Sequence, residues 1–427
     1  MSGDARPRRI VIASDFFHPA IGGAERQVRL LAAALAARGH DVRVATVRRP
    51  GESDLDHVDG VAVHRLPAIA TSLPLGSGDP AHRFLPPAPD PQLVLALRAL
   101  IGDSSAEVVH ANGWIAYSCA AAVEGRGTTV VLSVRDYGYS CATRTLLHRD
   151  REICSGPGYL KCLDCAGRHY GAAKGLVAVS GVFAGRPLLR RQVRGIHSVS
   201  RFVQSIVERD LLHGDAGWRP VLERIPDIVP GPSAPEIDTA EEGLVDRLPR
   251  EPFILFVGVL RRHKGLDVLL DAYHELAADR GSGAPPLVLI GSRHPDTPRH
   301  FPHGVTLLSD VPHAVVMAAW ERSLFGVAPS VWPDPLPGVV REAMSRGRPV
   351  VATAVGGNLD MVEDGVSGLL VPPSDARALA SAMGRLVDDG ALRDRLGAAA
   401  RSSVAGMTPE GVAARFEDLY ARALRAA

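Results

Sequence analysis

The chain has 427 residues, of which 46% are apolar and 22% charged, with 48 Lys plus Arg against 47 Asp plus Glu. That length is enough for two domains of ordinary size, each with its own core, and the balance is that of a globular enzyme rather than a disordered chain. The formal net charge of +1 gives no electrostatic ground for a nucleic-acid partner.

MSGDARPRR runs into a short strand without a secretory apolar region, and no apolar run approaches the roughly 20 residues of a membrane span. A cytoplasmic protein is expected, with docking onto the inner face of a membrane left compatible. Arg9 to Ser14 reads as the first strand and Gly23 to Arg38 as a helix closed by Gly39, followed by a strand over Asp41 to Val47. This β–loop–α–β unit lacks G-x-G-x-x-G, so dinucleotide binding is not signalled. Gly22 and Gly23 instead let backbone N–H groups approach an anion closely. Residues 67–91, rich in Pro, Gly and Ser, read as a long loop facing an acceptor. Strands follow over Glu107 to His110 and Thr129 to Val134. Residues 225–249, with prolines and acids, read as the region of the hinge, and 229–250 is taken as the interdomain linker. The second domain then runs over 251–408, with strands at Phe253 to Gly258, Leu287 to Ile290, Val305 to Leu308, Leu324 to Ala328 and Pro349 to Thr353. Asp375 caps a helix to Leu386, and a last helix covers Pro409 to Ala427.

The run from Ala328 to Val371, APSVWPDPLPGVVREAMSRGRPVVATAVGGNLDMVEDGVSGLLV, carries the most information. A buried strand ends at Ala328, a proline-rich loop holds Asp334, and Gly338 opens a helix. A helix that starts just past the carboxyl end of a parallel strand offers free N–H groups and a positive dipole end to phosphate oxygens. Glu342, one turn inside, can accept hydrogen bonds from sugar hydroxyls. These features point to a nucleoside-diphosphate site. Only Lys161, Lys174 and Lys264 are lysines, and Lys264 stands alone in the second half. A compact ammonium facing phosphate is not replaced by a forked guanidinium.

Asp334 and Glu342 stand at D-x7-E spacing, followed by REAM and a Gly-Gly pair, and here the chain resembles glycosyltransferase family 4. IVIASDFFHPAIGGAERQ, VVHANGW, SVRDYGYSC and LFVGVLRRHKGLDVLLDAY supply further blocks in order. The resemblance implies the GT-B fold, in which two Rossmann-like domains face each other across a cleft and the last helix returns to the first domain. It implies a metal-independent, retaining transfer of a sugar from a nucleoside diphosphate to a hydroxyl acceptor (a glycan, lipid or small natural product). Lys264 would meet the diphosphate, and Asp334, where Glu is usual, would lie beside the donor sugar. Gly22, Gly23, Arg261, Arg262, Leu308, Pro337, Gly338, Val339, Val340 and Glu342 would line the donor. Val259 stands where an Arg is usual, which leaves Arg261 or Arg262 as a substitute. Arg135 stands where His is usual; it would hydrogen-bond the donor sugar or recognise an acidic acceptor group. His110, Asn112, Asp136 and Tyr137 would lie toward the acceptor.

Cys141, Cys154, Cys162 and Cys165 follow C-x12-C-x7-C-x2-C. Four thiolates suit structural Zn²⁺, and free or transiently paired thiols are the equal alternative. No catalytic cofactor is expected. Asp54-Leu55-Asp56 matches the Asp-x-Asp of metal-dependent transferases literally, but its polar surroundings read as a solvated turn. A non-catalytic nucleotide-sugar-binding subunit and a nucleotide-sugar epimerase are the competing readings, and the GVVREAM and SVRDY blocks argue against the epimerase.

Overall fold

The computed structural model describes residues 6–19, 22–72, 84–213, 217–229, 239–295 and 297–426. The chain divides into two units, Met1–Ile228 with Pro409–Ala427, and Val229–Thr408. Part of the expected linker, 230–238, lies outside the described residues, as does 73–83 of the expected acceptor loop.

The first unit is built on an eight-stranded sheet: β1 Arg9–Ser14, β2 Asp41–Val47, β3 Leu55–Val58, β4 Val61–Leu66, β5 Val108–Asn112, β6 Thr129–Val134, β9 Val193–Ser198 and β10 Val221–Arg224. A separate two-stranded hairpin, β7 Leu147–His148 and β8 Glu152–Ile153, lies between β6 and β9 in sequence. The sheet order is β10-β9-β6-β5-β1-β2-β4-β3, parallel throughout except for the edge strand β3. β5 and β6 are buried along their whole length, as strands covered on both faces must be. Strand order reverses between β5 and β1, and open parallel sheets offer a crevice outside their carboxyl ends at such a point.

The helix Gly23–Ala37 turns Val28, Leu31 and Leu35 onto this sheet. The last helix, Pro409–Arg425, adds Val412, Phe416, Leu419 and Tyr420 to the same core, beside Ile10, Ile12 and Val131. It is therefore an integral part of the first unit, and truncating Phe416 to Ala would cost about 3–5 kcal/mol. β3 falls where the sequence reading had a polar turn: Asp56 pairs with Arg65 at 3.2 Å, and Asp54 pairs with Arg48. Both carboxylates are thus already held by guanidinium groups.

Between β8 and β9 lie two helices, Tyr159–Tyr170 and Ala172–Gln192, separated at Gly171. The second is long and apolar enough, by length and composition, to cross a membrane, where the sequence reading found no run approaching that length. Gly175, Ala178, Val179, Val182, Gly185 and Leu189 are buried along it, while Leu176 and Val177 are exposed.

The second unit carries a six-stranded parallel sheet: β11 Phe253–Val257, β12 Leu287–Ile290, β13 Val305–Leu308, β14 Ser323–Ala328, β15 Val350–Thr353 and β16 Gly368–Val371. Its order is β13-β12-β11-β14-β15-β16, with the reversal between β11 and β14. Each sheet thus has the doubly wound plan, with one crevice position set by topology.

Candidate functional site

In the second unit the carboxyl ends of β11 and β14 bring together the segments singled out in the sequence. After β11 the chain makes a single 3-10 turn, Arg262–Lys264, stopped by Gly265 with φ +78°. A Cβ at Gly265 would collide with the Pro329 carbonyl just past β14, so close packing and left-handed backbone both require glycine there. Val331 N–H donates to the His263 carbonyl at 3.0 Å, and the His263 and Trp332 rings meet edge-on at 5.4 Å. The two loops are thereby locked together.

That locking places the Lys264 ammonium on Asp334, to which it donates a hydrogen bond, and 5.2 Å from the centroid of the Trp332 ring. Asp334 is 8% exposed, and its carbonyl accepts from Gly357 N–H at 2.7 Å, which ties the Gly-Gly loop to the same point. A buried carboxylate needs such a partner, and the charge-assisted bond supplies it.

The helix Gly338–Ser345 starts immediately beyond, with Pro337 at its N-cap and no side-chain cap hydrogen bond there. Its short length is set by Gly347, whose φ of +66° ends it before β15. Val340 is buried beneath the helix, Val339 is half-buried, and Glu342 accepts from or shares a proton with His313 Nε2 at 2.8 Å. The result is a helix start with no side-chain cap, an ammonium held on one carboxylate and a second carboxylate one turn inside the helix, a combination of the kind that suits an anion.

Other expected donor residues are placed differently. Leu308 is fully buried at the end of β13, so its side chain belongs to the core rather than to a ligand surface. Arg262 pairs with Asp267 at 3.1 Å, while Arg261 N–H bonds to the Val259 carbonyl; Val259 itself is exposed. In the first unit, Gly22 is the extended N-cap of the helix that Gly23 begins, and no side chain caps that helix.

The carboxyl ends of β1, β5 and β6 hold a second polar cluster. Asp15 is 5% exposed and accepts from the N–H groups of Trp114 at 3.0 Å and Ile115 at 2.6 Å, which caps the helix Ile115–Ala122 from another strand. Arg144, at φ +64°, reaches Asp15 at 3.1 Å and Asp136 at 2.6 Å and lies over Trp114, 5.2 Å from its ring centre. Burial raises the Asp15 pKa above its ordinary value, against the pull of Arg144 and the two N–H groups. Burial works against the Arg144 charge, but Asp136 and Asp15 outweigh it. Sequence reasoning missed Asp15 and Arg144; the signal was an acid directly at the end of β1 and the glycine at 113.

Arg135 is paired with Asp227 and donates from Nε to Asn112 Oδ1 at 3.3 Å, and both ion-pair partners are only 11% exposed at the side chain. It is an internal charge pair, and Asp227 went unnoticed in the sequence. His110 and Tyr137, expected toward an acceptor, are 0% and 1% exposed. Tyr137 packs edge-on to Phe202 at 6.2 Å. Asn112 donates to the Ala13 carbonyl at 3.3 Å and is buried as well.

His110 belongs to a buried chain. His197 Nε2 lies 2.8 Å from the Ile225 carbonyl, which can only accept, so Nε2 carries the proton. Its Nδ1 then accepts from Ser133 at 2.8 Å, Ser133 accepts from His110 Nε2–H at 2.6 Å, and His110 Nδ1 accepts from Tyr420 at 2.7 Å. Each group is satisfied with both rings neutral. Burial, with the neighbouring cations, pushes His197 down to about 3 and His110 well below 6.5. The chain ties the last helix to the centre of the sheet; it leaves His110 nothing to offer an acceptor.

The four cysteines are all free thiols lining one small pocket, which His148 and Lys161 share. Burial raises the Cys162 and Cys165 thiols, and Cys141 and Cys154 lie near enough to raise them further.

Two family descriptions match the chain, "Glycosyl transferase 4-like domain" over 22–216 and "Glycosyl transferases group 1" over 251–389. A D-inositol 3-phosphate glycosyltransferase of Xylanimonas cellulosilytica is 34% identical over 48% of this chain and 52% of its own. An alpha-D-kanosaminyltransferase of Streptomyces kanamyceticus is 32% identical over 36% of this chain and 40% of its own. The chain thus spans about half the length or less of these curated relatives. Among solved structures, the sucrose-phosphate synthase of Thermosynechococcus elongatus superposes with a TM-score of 0.70 at 22% identity, covering 98% of this chain and 100% of the other. Anabaena HepE in complex with UDP-glucose gives 0.63 at 16%, covering 96% and 98%. Two doubly wound units, the two family matches and the blocks quoted above agree: the chain belongs to the family 4 type of GT-B glycosyltransferases.

Proposed function

We propose that the protein transfers a sugar from a nucleoside-diphosphate sugar to a hydroxyl acceptor, with retention of anomeric configuration and without a catalytic metal. The observation that carries this reading is the grouping of Lys264, the start of the helix Gly338–Ser345 and Glu342 at the carboxyl ends of β11 and β14. Departure of a sugar leaves negative charge on the β-phosphate, and a preorganised ammonium with the N–H groups of a helix start stabilises charge at such an oxygen. Glu342 would hold the ribose hydroxyls, and Asp334, released from Lys264 as the diphosphate binds, would face the donor sugar. Glycosyltransferase relatives and a structural neighbour bound to UDP-glucose support the donor class.

The acceptor belongs to the first unit in this reading, where Asp136 and Arg144 stand at the end of β6. Because one relative is named for D-inositol 3-phosphate, a phosphorylated polyol belongs in any acceptor panel. The test is turnover of UDP-, GDP-, ADP- and TDP-sugars with polyol, glycan and lipid acceptors, with the anomeric linkage of the product read by NMR. A retained linkage with one nucleotide class supports the reading. Binding of a nucleotide sugar without transfer to any acceptor would favour a non-catalytic binding subunit, and interconversion of the donor sugar an epimerase.

A further inference from the structure

The segment between β6 and the helix Ala172–Gln192 gathers four sulfurs that the transfer reaction leaves unused. Cys141 follows β6, Cys154 follows β8, and Cys162 and Cys165 sit one helical turn apart on a shared face of Tyr159–Tyr170. All four, with Lys161, line a single pocket. Two sulfurs already accept backbone N–H groups, Cys162 from Gly158 at 3.5 Å and Cys165 from Arg149 at 3.4 Å. Both bonds fix the orientation of these two sulfurs toward the backbone around the pocket.

The thiols also spend their own protons locally. Cys154 donates to the Gly156 carbonyl at 3.4 Å, Cys165 to Leu147 at 3.6 Å, and Cys141 meets the Thr143 hydroxyl at 3.2 Å. Among the described residues, accordingly, no group of three or more His, Cys, Asp or Glu side chains is drawn together tightly enough to hold a metal as it stands. The sulfurs are gathered but not closed.

We propose that Cys141, Cys154, Cys162 and Cys165 form a structural zinc site that closes when the metal binds. Four thiols lose four protons to solvent and bind one Zn²⁺ through four sulfurs, so the bonds to Gly156, Leu147 and Thr143 are exchanged for metal–sulfur bonds. The tetrathiolate centre carries two net negative charges; the Lys161 ammonium in the pocket wall and the N–H groups of Gly158 and Arg149 offset them. Four sulfurs leave no open coordination position, so the metal binds no substrate. Its effect is to fasten the loop after β6, the β7–β8 hairpin and the following helix to each other, and with them Arg144, which reaches Asp15 and Asp136.

The test uses the full chain, purified without chelator, with zinc measured by elemental analysis and thiols counted with a chromogenic disulfide reagent. We expect about one zinc per chain, four thiols protected until a strong chelator removes the metal, and re-uptake of zinc by the reduced protein. The double variant Cys162→Ser, Cys165→Ser should lose the metal; because it could also misfold, thiol protection in the unaltered protein is the deciding measurement. Reduced protein that takes up no zinc, or thiols that stay equally reactive with and without it, would overturn the proposal. So would an intact mass showing disulfides among these cysteines in zinc-replete protein.

Discussion

Lys264 and Asp334, 70 positions apart in sequence, form a direct ion pair at the carboxyl ends of β11 and β14. In the proposed function, a donor diphosphate competes with that carboxylate for the ammonium. Asp334→Asn removes the competitor without changing the side-chain shape. We expect nucleoside-diphosphate affinity to hold or rise while sugar transfer falls at least tenfold. Calorimetric titration with nucleotide alongside turnover checks both halves; a parallel loss of binding would mean that Asp334 positions Lys264 rather than competing for it.

Glu342 is held by His313 at 2.8 Å, so its carboxylate is oriented before any ligand arrives. Glu342→Gln should weaken nucleotide binding by 10- to 100-fold, or about 1.5–3 kcal/mol, whichever acceptor is used. His313→Ala should cost less, because only orientation is lost. Nucleotide affinity measured for the two variants orders these effects.

Arg135 and Asp227 are both nearly buried, so removing either alone strands a charge. Arg135→Ala should destabilise the first unit by about 3–5 kcal/mol, and the double variant with Asp227→Ala should recover part of that loss. Denaturant unfolding measures the recovery. If the double variant is stable but dead in transfer, Arg135 also acts on substrate; if it turns over normally, the pair is structural alone.

Stability should fall in mildly acidic solution. The folded chain keeps His110 and His197 neutral, His197 down to about 3, while the unfolded chain protonates both near their ordinary value of 6.5. The stabilisation is complete above pH 6.5 and is lost as the pH falls toward 3, by about 1.4 kcal/mol per pH unit for each ring. Melting curves between pH 7.5 and 4.5 should show this slope, and His110→Asn should flatten it by about half.

Transfer should survive EDTA, since Asp54 and Asp56 are engaged by Arg48 and Arg65. Loss of activity that Mg²⁺ restores at once would revive the Asp-x-Asp reading.

The sequence made the two sheets largely legible because their inner strands are uninterrupted apolar runs and their helices end at Gly39, Gly347 and similar stops. That Lys264, Asp334, Gly338 and Glu342 come together was legible for a related reason: they lie on the segments that follow β11 and β14, whose neighbours are fixed by parallel strand order. β3, β10 and β16 escaped notice, being edge strands of only 4 residues each, and so did the inner strand β9, whose VRGIHS is broken by Arg194, Gly195 and His197. In the first unit the site was harder to read, because the partners of polar groups came from remote strands and helices. Nothing near Arg135 announces Asp227, and nothing near His110 announces Tyr420. A histidine at a strand end reads the same in sequence whether it meets a ligand or a tyrosine from the last helix.

The most direct test of the account is to titrate UDP, GDP, ADP and TDP into the unaltered protein and into Lys264→Ala and Lys264→Arg. At least one nucleotide should bind the unaltered chain. Lys264→Ala should then bind it 10- to 100-fold more weakly and lose transfer by a similar or greater factor, about 1.5–3 kcal/mol. Lys264→Arg should be damaged as well, because the guanidinium fork does not reproduce a compact ammonium. Nucleotide affinity and turnover of Lys264→Ala equal to those of the unaltered protein would contradict the account.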